Sequence, residues 1–453
     1  MGARLDRASG RRMRPLAFFT ASLLLGCAMT GCNSDGRTSG PSTNVTAVNA
    51  APSFADIGFL REERIAANLP FRGASSFAFE VGQYDFNVDV FHPGDVTATR
   101  VRSFSETLQA DTDYLFVITE SNGSVEPIVV TKAPFSATAS NAEVTVIHAG
   151  PAFPAVSVYV TAPGADLSAA NPIGAAGFMQ SIAPQTFAGG EYQLALTESG
   201  NPLNVLFVSP TLTFAAGQQN LFVITDGAGE VTVPVVVLRI TGDVAPLTDV
   251  NAQSELRAIN AATDTLPRDL VIDDNFTTPL FPAVPYAAPT GFVPIAPGAR
   301  KISVTPAGNP GVIEGEGTST ILGARFNTTV VAGAAGDLEV ITVIEDRRRL
   351  ANQARLRVFN GAGQFTSLDF FVLPPGTAIS GILPITLNIG GSSGALQLPP
   401  GEVELTIRIT GTETVAYGPA PLTVADRGLY GVLAINGATP ETAGVVLFDD
   451  FTP

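Results

Sequence analysis

Glu143-Val144-Thr145-Val146-Ile147-His148-Ala149-Gly150 decides how this chain is read, because three other stretches open in the same way. They are Asn44-Val45-Thr46-Ala47-Val48-Asn49-Ala50-Ala51, Glu255-Leu256-Arg257-Ala258-Ile259-Asn260-Ala261-Ala262 and Arg355-Leu356-Arg357-Val358-Phe359-Asn360-Gly361-Ala362. Each is a short run of strand-forming residues closed by Asn or His and small turn residues.

A second pattern recurs about 40 residues into each copy. An apolar residue (Phe79, Phe187, Ile295, Leu398) stands three before a glycine (Gly82, Gly190, Gly298, Gly401). Apolar residues follow four and six positions after that glycine: Phe86 and Val88, Leu194 and Leu196, Ile302 and Val304, Leu405 and Ile407. Period-two spacing puts each pair on one face of a strand, and the glycine supplies the turn that enters it. A third element, Tyr114-Leu115-Phe116-Val117-Ile118-Thr119, returns as Asn220-Leu221-Phe222-Val223-Ile224-Thr225. Looser versions are Gly428-Leu429-Tyr430-Gly431-Val432-Leu433 and a stretch near Thr328-Thr329-Val330-Val331.

Three elements in fixed order, four times over at about 100 residues, define a tandem repeat. The copies span 44–141, 142–251, 252–353 and 354–453. Short strands with frequent turn signals predict an all-β fold of four tandem immunoglobulin-like β-sandwich domains. A β-propeller built from half-repeats is the alternative. Proline and glycine interrupt nearly every helix-length window, which removes a helical reading. A length of 453 residues and 45% hydrophobic content allow several packed cores.

The amino-terminal segment reads differently. Basic residues up to Arg14 precede the apolar run Leu16–Gly26, which is too short for a stable membrane span and is shaped like an export signal. It ends in Leu24-Leu25-Gly26-Cys27 and then Met29-Thr30-Gly31-Cys32, each resembling the box at which a lipoprotein signal is cleaved and the cysteine acylated. Leu24 favours Cys27. A start at Met13, and the polar tether Asn33–Thr43 that follows, favour Cys32. The expectation is a signal peptide over 1–31, lipid attachment at Cys32 with Cys27 as the alternative, and a flexible tether over 32–43. Asn33 after the cysteine, by analogy, favours sorting to an outer membrane.

Charge narrows the partners. The net charge is -16, yet Arg4, Arg7, Arg11, Arg12 and Arg14 face only Asp6 before residue 32. The remainder therefore carries 20 basic and 40 acidic residues. A surface of net charge -20 repels phosphate backbones, so no nucleic acid is expected as a partner. Both cysteines lie within the first 32 residues, which leaves no disulfide framework, thiolate nucleophile or cysteine-ligated metal in the repeats.

Val144-Thr145-Val146-Ile147-His148-Ala149-Gly150-Pro151-Ala152-Phe153-Pro154-Ala155-Val156-Ser157-Val158-Tyr159-Val160 resembles the opening of the bacterial family known as domain of unknown function 4397. Gly189-Gly190-Glu191-Tyr192-Gln193-Leu194 fits its middle, so the resemblance spans most of 142–251. In the other copies Asn replaces His148, and Pro151 persists only as Pro52. The resemblance implies an exported surface or periplasmic module, commonly in tandem, with no assigned chemistry.

Candidate chemistry is sparse. His148 takes the place of Asn49, Asn260 and Asn360, so it reads as a hydrogen-bonding turn or cap residue before it reads as a ligand or base. His92 lies in the turn Phe91-His92-Pro93-Gly94, and no Gly-x-Ser-x-Gly elbow accompanies either histidine. Asp273-Asp274-Asn275 and Asp449-Asp450 offer hard oxygens to Ca²⁺ but lack EF-hand spacing, and solvated strand ends are the plainer reading. Glu345-Asp346-Arg347-Arg348-Arg349 reads as an inter-domain hinge with local ion pairing. No catalytic residue, cofactor or metal is expected. The resulting expectation is a lipid-anchored envelope protein with modules for binding, adhesion or spacing, meeting an envelope or extracellular protein or glycan. The alternative is a secreted carboxylate-dependent hydrolase working at an inter-domain cleft, since a glycosidase needs only two placed acids.

Overall fold

A computed structural model describes residues 41–136, 139–229 and 235–449. The export segment, Cys27, Cys32 and nearly all of the tether lie outside these residues, as does Asp450. No helix occurs among the described residues; strands make eight sheets, two per copy.

In the first copy one sheet runs Ala74–Glu80, Ser42–Asn49, Asp113–Ser121, Ser124–Lys132. The facing sheet runs Arg64–Pro70, Asp56–Arg61, Gly82–Val90, Thr99–Leu108. The same order of strands recurs in the third and fourth copies, and the second adds short edge strands. Each copy is thus a β-sandwich. The propeller alternative is excluded, because each copy folds two facing sheets over its own core instead of radial half-copy blades.

The three recurring elements take fixed places in this plan. The opening strands Ser42–Asn49, Asn141–His148, Ser254–Ala262 and Ala354–Asn360 each lie parallel to the third element of their own copy. The glycine-led strands Gly82–Val90, Gly190–Glu198, Gly298–Pro306 and Gly401–Ile409 sit inside the other sheet. Their paired apolar residues are buried as the alternation predicts. Gly82, Gly298 and Gly401 have φ of 151°, 124° and 130°, backbone that favours glycine. Gly190 departs from this, since its φ is not positive and another residue fits there.

The opening strands hold more than was expected of them. Val45 and Ala47 point into the first sandwich's own core, while Val48 and Ala50 point out of it. Phe116 and Ile118 point in, and Leu115 and Val117 point out. The outward set packs against Ile147, Ala149, Leu221, Val223, Val236, Leu238 and Ile240 of the second sandwich. The third and fourth sandwiches meet in the same way through Ile259, Ala261, Val330 and Ala332 against Phe359, Leu433 and Phe448. The sheet that carries the opening strand is therefore covered on both faces, with apolar residues filling part of each seam and polar groups such as Thr46 and Arg257 the rest. Copies stack back to back in two pairs, each four sheets deep.

The pairs also touch. Arg348 lies 4.6 Å over the Phe71 ring and Ala351 N donates to Ser53 O at 2.8 Å, so the connector between copies three and four is docked on copy one. Within the first pair, Arg72 Nη2 of copy one also donates to Asp226 O of copy two at 3.1 Å.

Candidate functional site

One residue at or near the end of each opening strand is buried and performs one task four times. Asn49, Asn260 and Asn360 each accept through Oδ1 from the backbone N–H two residues on, at 3.0, 3.1 and 3.1 Å. Their Nδ2 groups donate to Leu69 O, to Leu266 O and Val284 O, and to Leu387 O. His148 reproduces both ends: Nδ1 faces Gly150 N at 3.4 Å, and Nε2 meets Pro154 O at 3.0 Å. Donation from Nε2 and acceptance at Nδ1 require the neutral ring, and burial lowers the His148 pKa in the same direction. His148→Asn is therefore expected to leave stability within about 1 kcal/mol, whereas His148→Ala loses about 1–3 kcal/mol by orphaning buried backbone groups. Urea unfolding of both variants checks this, and equal losses would refute it.

The other sequence-marked residues are scattered. His92 is half-buried, 3.4 Å from Asn352 Nδ2 and tilted against Phe54 at 6.4 Å, so it belongs to the contact between copy one and the connector. Asp273 pairs with Arg300 at 2.7 Å and Asp274 with Lys301 at 2.9 Å, so a calcium ion must first displace two cations. No group of three metal-ligating side chains occurs among the described residues.

Glu345-Asp346-Arg347-Arg348-Arg349 holds the ion pairing expected of it, at greater depth. Arg257, on the opening strand of copy three, pairs with Glu345 at 2.6 Å and lies 4.7 Å over Phe292 and 5.1 Å over Phe448. Asp346 pairs with Arg355 at 2.8 Å and Arg348 at 3.1 Å. Burial works to raise the Asp346 carboxyl, but the hydrogen bond from Arg355 and the charges of Arg348 and Arg355 hold it well below the usual carboxylate range. A cavity of about 30 Å³ sits among these groups, room for little more than water.

Two carboxyls stand at the ends of neighbouring strands where copies one and two meet. Glu120 accepts from Ser53 N at 2.9 Å, and Asp226 accepts from Ala152 N at 3.1 Å. Burial raises both. A hydrolytic site would need such acids over a cleft, but these two are occupied in fastening turns.

Open polar space lies at the seam between copies one and two. Two adjoining grooves of about 360 Å³ each share Thr46, Ser76, Leu115, Lys132 and Gln219. Lys132 reaches across the seam to Glu143 at 2.9 Å and back to Asp113 at 3.5 Å. Sequence reasoning passed over Lys132, although a signal was present: lysine occurs only twice in the chain.

A family model described as "Domain of unknown function (DUF4397)" matches residues 43–159 and 254–371, more than half of the chain. Each matched stretch takes in one copy and the opening of the next. No curated protein matches. Among solved structures, the TIE protein of Bacillus anthracis matches at 10% identity over 87% of this chain and 68% of its own, with a TM-score of 0.16. The major pilin subunit of Bacillus cereus matches at 10% identity over 87% and 99%, with a TM-score of 0.14. Superpositions that loose carry no argument about this molecule. The family match does, and the chain belongs to the DUF4397 family.

Proposed function

We propose that this protein is a lipid-anchored component of the bacterial cell envelope, held through Cys32, whose stacked sandwiches present a stiff surface to an envelope or extracellular protein or glycan. The observation that carries the reading is the burial of both faces of the sheets bearing the opening strands. Back-to-back packing converts four small domains into two thick slabs, which resist bending at the joins and keep exposed loops at fixed separation. The basic-then-apolar leader and the cysteine that follows it support delivery to the envelope. The acidic repeats support a partner other than nucleic acid.

Metabolic labelling of the full chain with a tagged fatty acid, in a two-membrane host, tests the anchor. The label and membrane fractionation are expected to survive Cys27→Ser and to vanish in Cys32→Ser. Unlabelled wild-type protein in the soluble fraction would overturn the proposal.

A further inference from the structure

The chain meets its need for positive charge with 23 arginines and two lysines, Lys132 and Lys301. Arginine is the usual cation for a buried ion pair, because it is weakly hydrated, forked and permanently charged. Lysine differs in one chemically useful respect: its amine can lose a proton and act as a nucleophile. One of the two lysines is the buried one. The Lys132 side chain is 6% exposed, between Asp113 at 12% and Glu143 at 11%.

Position strengthens the point. Asp113 begins the strand Asp113–Ser121, Lys132 ends the strand Ser124–Lys132, and the two are directly paired across the antiparallel ladder. Nζ lies 3.5 Å from Asp113 Oδ2 and 2.9 Å from Glu143 Oε1. Asn44 Nδ2 donates to the other Asp113 oxygen, Oδ1, at 3.1 Å. Gln219 Nε2 contacts Glu143 Oε1 at 3.4 Å. A nucleophile, an electrophile, a proton carrier and a donor for the developing oxyanion are thus gathered at one point.

We propose that Lys132 and Asp113 condense within the folded protein to an isopeptide bond, with Glu143 moving the proton. Glu143 takes a proton from the Lys132 ammonium, and the freed Nζ attacks Cγ of Asp113. A bond forms between Nζ and Cγ, and Oδ1 carries the developing negative charge against Asn44 Nδ2. The Cγ–Oδ2 bond then breaks. Oδ2 leaves as water, taking one proton from Glu143 and one from Nζ, so an ammonium and a carboxylate become one amide and one water. Neither oxidant nor outside reactant enters. The water departs into the grooves that Lys132 lines on both sides. Fixed proximity of the reacting atoms supplies the drive that the same groups lack when free in solution.

Lys301 is the built-in control. It also stands between two carboxylates, Glu316 at 2.7 Å and Asp274 at 2.9 Å, but it is exposed. Its hydrogen bonds to Glu316 and Asp274 raise its pKa.

Chymotryptic peptides of the purified full chain, measured by mass spectrometry, test the proposal. The expected product is a branched peptide joining the Asp113 and Lys132 segments, lighter than their sum by one water, with Lys301 recovered in a linear peptide. Lys132→Arg keeps the cation and is expected to give linear peptides only, and Glu143→Gln is expected to reduce the branched product at least tenfold. Linear Asp113 and Lys132 peptides from wild-type protein would overturn the cross-link. Undiminished branching in a folded Glu143→Gln protein would overturn the role of Glu143.

Discussion

Arg268→Met is expected to cost the third sandwich about 3–5 kcal/mol, the scale for removing one partner of a buried ion pair. Arg268 begins the strand Arg268–Ile272 and is completely buried. Its guanidinium donates to Asp264 and to Leu266 O, each at 2.7 Å, and its Nε stands 2.6 Å from Glu314 Oε2. That last contact is a charge contact with a bent approach, since neither atom completes a hydrogen bond. Asp264 is about one-third exposed and can resolvate, but Glu314 is 11% exposed and cannot. The loss therefore comes mainly from stranding Glu314. Adding Glu314→Gln to Arg268→Met is expected to recover a large part of it. Hydrogen exchange in Arg268–Ile272 and its neighbour Gly298–Pro306 reads the effect locally, which suits a chain whose domains need not unfold together. Protection equal to wild type in the single variant would refute the assignment.

Val223→Asp is expected to have the other large effect, at a different level of structure. Val223 is fully buried, but it faces the first sandwich, whereas its neighbours Phe222 and Ile224 face the core of the second. The substitution removes about 1.5–3 kcal/mol of apolar burial. It also places an unpaired carboxylate in an apolar seam, a further several kcal/mol. The expected outcome is separation of copies one and two with both cores largely kept. Limited proteolysis within 133–140, the connector between them, should accelerate at least tenfold, while exchange protection of Gly190–Glu198 stays near wild type. Phe222→Asp provides the contrast, since it should collapse protection throughout the second copy. Unchanged proteolysis in Val223→Asp would argue against the back-to-back packing.

How much of this was legible in the sequence can be judged element by element. The glycine-led strands announced themselves, because a one-sided strand leaves a period-two trace such as Leu194 and Leu196. The copy number was legible for the same reason, and so was the kinship of His148 with Asn49, Asn260 and Asn360. The opening strands carried a further signal that went unread. In Val144-Thr145-Val146-Ile147, apolar or β-branched residues do not alternate with charged ones, as happens when both faces of a sheet are covered. Which surface provides the cover is not written locally, because Leu115 and Leu238 meet only after two domains have folded. The long-range polar contacts, an ion pair and a side-chain-to-carbonyl hydrogen bond, were hidden by separation along the chain. Arg257 and Glu345 are 88 residues apart, and Arg72 and Asp226 are 154 apart. Lys132 was concealed differently, since rarity becomes meaningful only once burial is known.

Back-to-back packing also sets a rule of parity. A chain built this way is expected to tolerate the gain or loss of copies in twos, because an odd copy would turn Val48, Leu115, Val117 and Ile128, or their equivalents, toward water. Excision of 142–251 alone should leave an apolar slab that aggregates, whereas excision of 44–251 removes both sides of that seam together. For this architecture the smallest unit that covers its own apolar surface is the pair.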